Sequence, residues 1–137
     1  MESSSTFSYA VYRVVPNVER GERINVGVVV FCRPLKYLAV RTGLDEERLQ
    51  ALWPELDADD VRPHLRALER IAAGDPEAGP IAQLDETARF HWLTSPSSTI
   101  IQSSAVHTGI CDEPEQQLEK LFHSLVGTRP KREVPGV

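Results

Sequence analysis

Residues 7–15 alternate with a period of two. Phe7, Tyr9, Val11 and Val15 fall on one side and Ser8, Ala10, Tyr12 and Val14 on the other, which is the repeat of a β-strand. Both sides are largely apolar, so the strand belongs inside a sheet; Pro16 and Asn17 end it, because proline cannot donate to a ladder and asparagine favours turns. Residues 24–32 hold four valines, an isoleucine and Phe31 without helical spacing, and predict a central strand. Strict alternation sets Ile24, Val26, Val28, Val30 and Cys32 on one face and Asn25, Gly27, Val29 and Phe31 on the other. After Arg33 and Pro34 the chain returns as a third strand over 35–41. Links this short require an antiparallel meander, since a parallel pair needs a long crossover.

The period then becomes helical. Asp45 reads as an N-cap with Leu44 and Leu49 as a hydrophobic staple, and Leu49, Leu52, Trp53 and Leu56 form an apolar stripe that Pro54 interrupts near Trp53. A second helix starts around Asp59, takes Pro63 near its first turn, buries Val61, Leu65, Leu68 and Ile71, and stops at Gly74. The stretch GDPEAGP, 74–80, reads as a loop. A third short helix follows from Asp85 to about Trp92, then a strand over about 99–102. Asp112 and Glu115 have capping-box spacing before a last helix that carries Leu118, Leu121, Phe122, Leu125 and Val126 as far as Gly127. The reading is a single α+β domain over 1–127: an antiparallel sheet, with a three-stranded meander joined by a later strand, and about four helices packed against it. The proline-containing basic tail, 128–137, is expected to be disordered.

Composition narrows the function classes. At 137 residues, 41% apolar and 26% charged, the chain has the size and balance of one globular domain. No apolar run is long enough to span a bilayer and the first residues lack a secretory pattern, so a cytoplasmic protein without membrane attachment is expected. Cys32 and Cys111 have no CxxC partner and are expected as buried reduced thiols. The net charge of −5 is uneven: six basic and four acidic groups in 1–45, five and eleven in 46–93, four and five thereafter. No broad basic field exists to neutralise a phosphate backbone, and nucleic acid is the least favoured partner. Four scattered histidines give no metal-ligand spacing, and neither a metal nor a cofactor is expected. Walker, GxGxxG, GxSxG and HExxH motifs are all missing.

Two polar segments remain as candidate chemistry. The first, PNVERGERINVG over 16–27, is longer than a hairpin turn needs. With Arg13 it gathers Arg20, Glu22, Arg23 and Asn25 at one end of the sheet, where guanidinium groups can take a carboxylate or phosphate; the plainer alternative is a solvated loop whose Arg and Glu pair with each other. Gly27 marks either a bulge or a close approach. The second, SPSSTIIQSSAVHTG over 95–109, carries Ser98, Gln102 and His107. An imidazole there can titrate near neutrality, although no triad arrangement accompanies it and a structural histidine is the commoner case.

YRVVPNVERGERINVGVVVF and FHWLTSPSSTIIQSSAVHTGI, followed by the acidic helix DEPEQQLEKLF, resemble the bacterial proteins of the domain of unknown function family 3037. The resemblance runs from about Phe7 to Gly127, and the matching motif positions are Pro16, Asn17, Arg20, Gly21, Glu22, Asn25, Gly27, Trp92, Ser98, His107 and Gly109. It implies no activity. It does imply a partner, since such proteins are often encoded beside a HipA-like kinase-domain protein. The leading expectation is therefore a non-catalytic accessory or interaction domain of a bacterial system, more readily a binder than an enzyme. The alternative is an enzyme or binding protein for a phosphorylated or nucleotide-like small molecule. It would act at a patch shared by the two segments, with Arg20 or Arg23 holding the anion, Ser98 and Gln102 orienting it and His107 as acid or base; this requires His107 to lie close to the 20–25 loop. A homodimer through an open sheet edge is a further expectation.

Overall fold

The computed structural model describes residues 4–96 and 100–127. Ser98, Thr99 and the tail 128–137 lie outside them. In chain order the elements are β1 (Ser5–Val14), β2 (Ile24–Cys32), β3 (Tyr37–Thr42), α1 (Glu46–Leu52), α2 (Ala58–Ala73), two short 3₁₀ turns (Pro76–Ala78 and Ile81–Gln83), α3 (Glu86–Leu93), β4 (Ile101–Ser103), β5 (His107–Cys111) and α4 (Pro114–Leu125). The fold is α+β, with the predicted meander intact.

Side chains set the helix ends. Asp45 accepts from the Arg48 amide at 3.2 Å, Asp57 from Asp59 at 2.9 Å and Asp85 from Ala88 at 2.8 Å, which satisfies amides that have no intrahelical acceptor. The second helix thus opens at Asp57, slightly before its predicted start, and Pro63 falls in its second turn with its ring exposed. Gly74 closes it with φ of 73°. Arg89 adds a second stop from α3, donating to the carbonyls of Ile71 at 3.1 Å, Ala72 at 2.7 Å and Leu84 at 3.0 Å. The predicted capping box at Asp112 does not form. Glu113 is the N-cap of α4 and makes no side-chain cap bond, while Asp112 accepts from the Ser4 hydroxyl at 3.0 Å.

The strands form one antiparallel sheet in the order β3-β2-β1-β4, with β5 also on β1. β5 is a strand that the sequence pattern does not predict. It and β4 occupy the same side of β1 at different levels: β4 pairs with Tyr12, Arg13 and Val14, and β5 with Ser5 to Tyr9. Between the pairs Tyr12↔Ser103 and Tyr9↔His107 the edge has three residues, 104–106, against two on β1. That one extra residue is a β-bulge, held by the Val11 amide donating to Ser104 Oγ at 2.9 Å and the Ser104 amide donating to Val11 O at 2.8 Å. A second irregularity lies between β1 and β2, where Gly27 pairs with Tyr12 and Asn25 with Arg13, leaving Val26 as the inserted residue.

The Val26 bulge corrects the predicted faces of β2. Ile24, Val26, Val29 and Phe31 join Ala10, Tyr12 and Val14 in a core closed by α1, α2 and α3, whereas Val28, Val30 and Cys32 join Phe7 and α4 on the opposite face. Strict alternation fails because one unpaired residue shifts the phase of everything before it. Gly27 is tightly held, since a Cβ there would meet Arg41 O and Thr42 Cγ2 at 3.1 Å. Cys32 and Cys111 are free and buried on the α4 side, and burial together with Cys32 raises the Cys111 thiol above its usual range.

Candidate functional site

α4 lies over β2 and β3. Its Glu119 pairs with Arg41 at 2.8 Å, and Phe122 lies beneath the Arg41 guanidinium, so the 115/119/123 flank faces the β3 edge and the 121/125 flank faces β1. On this face α4 also reaches Phe7 of β1 and Cys111 of β5, and it leaves the stretch of β1 around Tyr9 and Arg13 half-buried. The strip beside α4 carries Tyr9, Val11 and Arg13 of β1 and their cross-strand neighbours, because directly paired residues project to the same side; Tyr9 and Arg13 are half-buried and Val11 is 6% exposed.

At one end of the strip Arg13 sits between Asn25 on β2 and Gln102 on β4, each its direct partner. Arg23, just before β2, is exposed, and its charge acts on Arg13. Asn25 Nδ2 donates to the Leu125 carbonyl at the end of α4, 3.0 Å away, which fixes the amide against a helix C-terminus. Arg13 Nε is sealed from solvent and has no acceptor among the described residues. Desolvation, then the charge of Arg23, lowers the Arg13 pKa from its ordinary value.

At the other end His107 pairs with Tyr9, and their rings lie 5.3 Å apart, tilted by 35°. A five-residue spacing would put Gln102 and His107 on opposite faces of a regular strand; the bulge at 104–106 brings both onto this one. Beyond His107, Gly109 is crossed by the Phe7 ring, and a Cβ there would meet Phe7 Cε1 at 2.8 Å.

The predicted residues therefore divide. Arg13, Arg23, Asn25 and Gln102 come together, and His107 shares their face but stands four β1 residues away, about 14 Å along the strand. Arg20 and Glu22 leave the group entirely. The loop turns on Asn17, whose Oδ1 accepts from Glu19 at 3.0 Å and Arg20 at 3.3 Å, and on Gly21 with φ of 72°. It then folds over the end of α1, where a shallow cleft is lined by Pro16, Asn17, Leu52 and Trp53. There Arg20 grips Glu22 through two bonds, at 3.0 and 3.1 Å. The same contact, foremost, holds the Glu22 carboxyl below its usual range. Ser98 is outside the described residues.

Sequence reasoning missed Tyr9 and Leu125 as members of this strip. Each reads as a core position by spacing, and only the lateral placement of α4 and the unpredicted β5 leave them at its border. A separate cleft of about 280 Å³ opens on the opposite face, with Tyr12, Leu68, Ile71, Leu93 and Ile101 in its wall and Trp92 and His64 at its rim. Trp92, singled out by the resemblance, serves there and not in the strip.

Among the described residues no helix is long and apolar enough to cross a membrane, and no three His, Cys, Asp or Glu side chains gather as a metal site. No curated protein and no solved structure matches the chain. A family model does match, over residues 9–126 and thus over most of the sequence, with the description protein of unknown function, DUF3037. The chain belongs to that family.

Proposed function

We propose that this domain is a non-catalytic interaction module that docks a partner protein along the open strip beside α4. The observation that supports this reading is the spread of the polar groups along one sheet face. Arg13, Arg23, Asn25 and Gln102 stand at one end and Tyr9 with His107 at the other, separated by the buried Val11. A separation of about 14 Å is too long for a single phosphoryl group to meet both ends, whereas an extended protein surface spans it, and mixed apolar and cationic patches of this kind suit protein recognition. An enzyme that needs His107 beside the 20–25 loop draws no support from this placement: Val14, where that loop begins, is five residues beyond the partner of His107 on β1.

The first partner to test is the HipA-like kinase-domain protein suggested by the resemblance, in a bacterial cytoplasmic setting. Purified full-length domain and the product of the adjacent gene are titrated by calorimetry, in parallel with the double variant Arg13→Glu/His107→Ala. Binding at micromolar concentration that weakens at least about tenfold in the variant supports the docking strip. Binding unaffected by the variant places the interface elsewhere, and no binding removes this partner. Size-exclusion chromatography of the domain alone reports whether a second copy occupies the open β4–β5 edge.

A further inference from the structure

Among the ten described arginines, four are held in ion pairs and one by backbone carbonyls. Arg20 pairs with Glu22, Arg41 with Glu119, Arg62 with Glu46 and Asp59, and Arg70 with Asp75, while Arg89 is spent on three carbonyls. Arg33, Arg48 and Arg66 make no ion pair with a described residue, but each is exposed and free in solvent. Arg13 is different. It is half-buried, its Nε is closed to solvent and lacks an acceptor among the described residues, and the charge that it feels is that of another cation, Arg23. In a chain with five more acidic than basic side chains, a carboxylate would be the expected neighbour.

Burying a guanidinium edge beside a like charge is unfavourable unless something offsets it. Here the surroundings are donors. Arg13 Nη1 and Nη2 make no hydrogen bond to a described residue, and Arg23, just ahead of β2, is exposed and close enough for its charge to act on Arg13. Gln102 adds an amide that makes no hydrogen bond to a described residue, and Asn25, whose amide is pinned by Leu125 O, holds its own position in the row. Two guanidinium groups converging without a carboxylate suit a doubly charged tetrahedral oxyanion better than a single carboxylate, because each can supply a forked pair of bonds to a different oxygen.

We propose that Arg13 and Arg23, with Gln102 and Asn25 on the same sheet face, form a binding site for a phosphate monoester. The site deepens the docking reading, in which the phosphate is carried by the partner as a phosphorylated side chain, but anion binding itself needs no partner. That separation makes the two ideas distinguishable.

Full-length protein with ¹⁵N-labelled arginine is titrated with inorganic phosphate at low ionic strength and pH 7.5, following the Arg13 Nε–Hε resonance. Sodium chloride at matched ionic strength and sodium acetate serve as controls. Saturable shifts with phosphate, at least about tenfold weaker in Arg13→Gln and in Arg23→Gln, are expected, with the ¹⁵N–¹H backbone spectrum certifying that both variants fold. Phosphoserine peptide and adenosine monophosphate are then compared at the same site. Preference for the peptide assigns the phosphate to a protein, and preference for the nucleotide assigns it to a small molecule and removes the link to docking. Linear shifts reproduced by chloride, or phosphate affinity unchanged in both variants, overturn the site, and partner binding that persists in that case leaves the docking strip standing without it.

Discussion

Tyr12→Phe removes one oxygen from the centre of the molecule, and its effect on stability should depend on pH. Tyr12 is 2% exposed and its hydroxyl donates to the Leu93 carbonyl, 2.8 Å away, at the end of α3. That bond ties the sheet to the helix from which the 95–109 segment departs. Its loss leaves a helix-terminal carbonyl unpaired in a buried setting, which costs about 1.5 kcal/mol near neutral pH. With 137 residues and an unfolding entropy of about 2.1 cal/mol/K per residue, the midpoint should fall by about 5 °C. At high pH the gap should close. Burial holds the Tyr12 phenol far above its ordinary range near 10, with desolvation as the cause. Because the folded value is raised, the unfolded chain ionises first; the stability that Tyr12 contributes is complete below pH 10 and declines above it by about 1.4 kcal/mol per pH unit. Phenylalanine carries no such loss. Urea unfolding at pH 7, 9, 10 and 11 should therefore show a constant deficit through pH 9 that vanishes close to about pH 11. Tyr37, also raised, chiefly by burial, is common to both proteins and cancels in the difference. A deficit that stays the same from pH 9 to 11, or no deficit at neutral pH, would refute the assignment of this hydroxyl as a buried neutral donor.

Three other substitutions test the frame around the strip. Arg89→Met takes a charged donor from two carbonyls at the end of α2 and from that of Leu84 just before α3 and should cost about 2–3 kcal/mol, read as a lower urea midpoint at unchanged slope. Gly109→Ala places a methyl 2.8 Å from Phe7 Cε1, so the ring must yield before the side chain fits; a loss of about 1–3 kcal/mol and faster amide exchange in β5 than in β2 are expected. Arg13→Met exchanges a sealed, unpaired Nε for an apolar stem and should leave stability unchanged or raise it by about 1 kcal/mol in phosphate-free buffer, while phosphate, which should raise the melting temperature of the parent protein, should have no such effect on the variant.

The meander and the helices were legible because each carries its own local signal: a run of β-branched residues in β2, aspartates at the starts of α1 and α3, and glycine at the end of α2. β5 was not, since HTGIC has an exposed His, Thr and Ile and a glycine that only the Phe7 ring explains. The two bulges were equally hidden, because an inserted residue leaves no mark on periodicity until the partner strand is known. Val26 shows the consequence: it satisfies the alternation expected of β2 and yet belongs to the other core. The same limit governed the site. Proximity in sequence grouped Arg20 with Arg23, but the turn at Asn17 and Gly21 sends one toward α1 and the other toward α4.

Those bulges also explain why the polar groups form a strip at all. Among the described strands β1 alone has irregular pairing on both flanks, at Val26 on one side and at 104–106 on the other. Without the first, the extra residue that lets Val26 enter the larger core while Asn25 stays beside Arg13 would be lost, and the chain would have to give up either an apolar contact or the Asn25 tie to α4. Without the second, His107 or Gln102 would turn to the opposite face. Each bulge reconciles the demands of the core with a polar row on the far side of the same strand, and bulges of this kind re-aim side chains at sites of function. Deleting Val106 should then leave the core of α1, α2 and α3 intact and move His107 away from Tyr9. Loss of the Tyr9 ring-current shift on the His107 protons, with little change in the urea midpoint, is the expected signature, whereas unfolding on deletion would show that the bulge serves the core and not the strip.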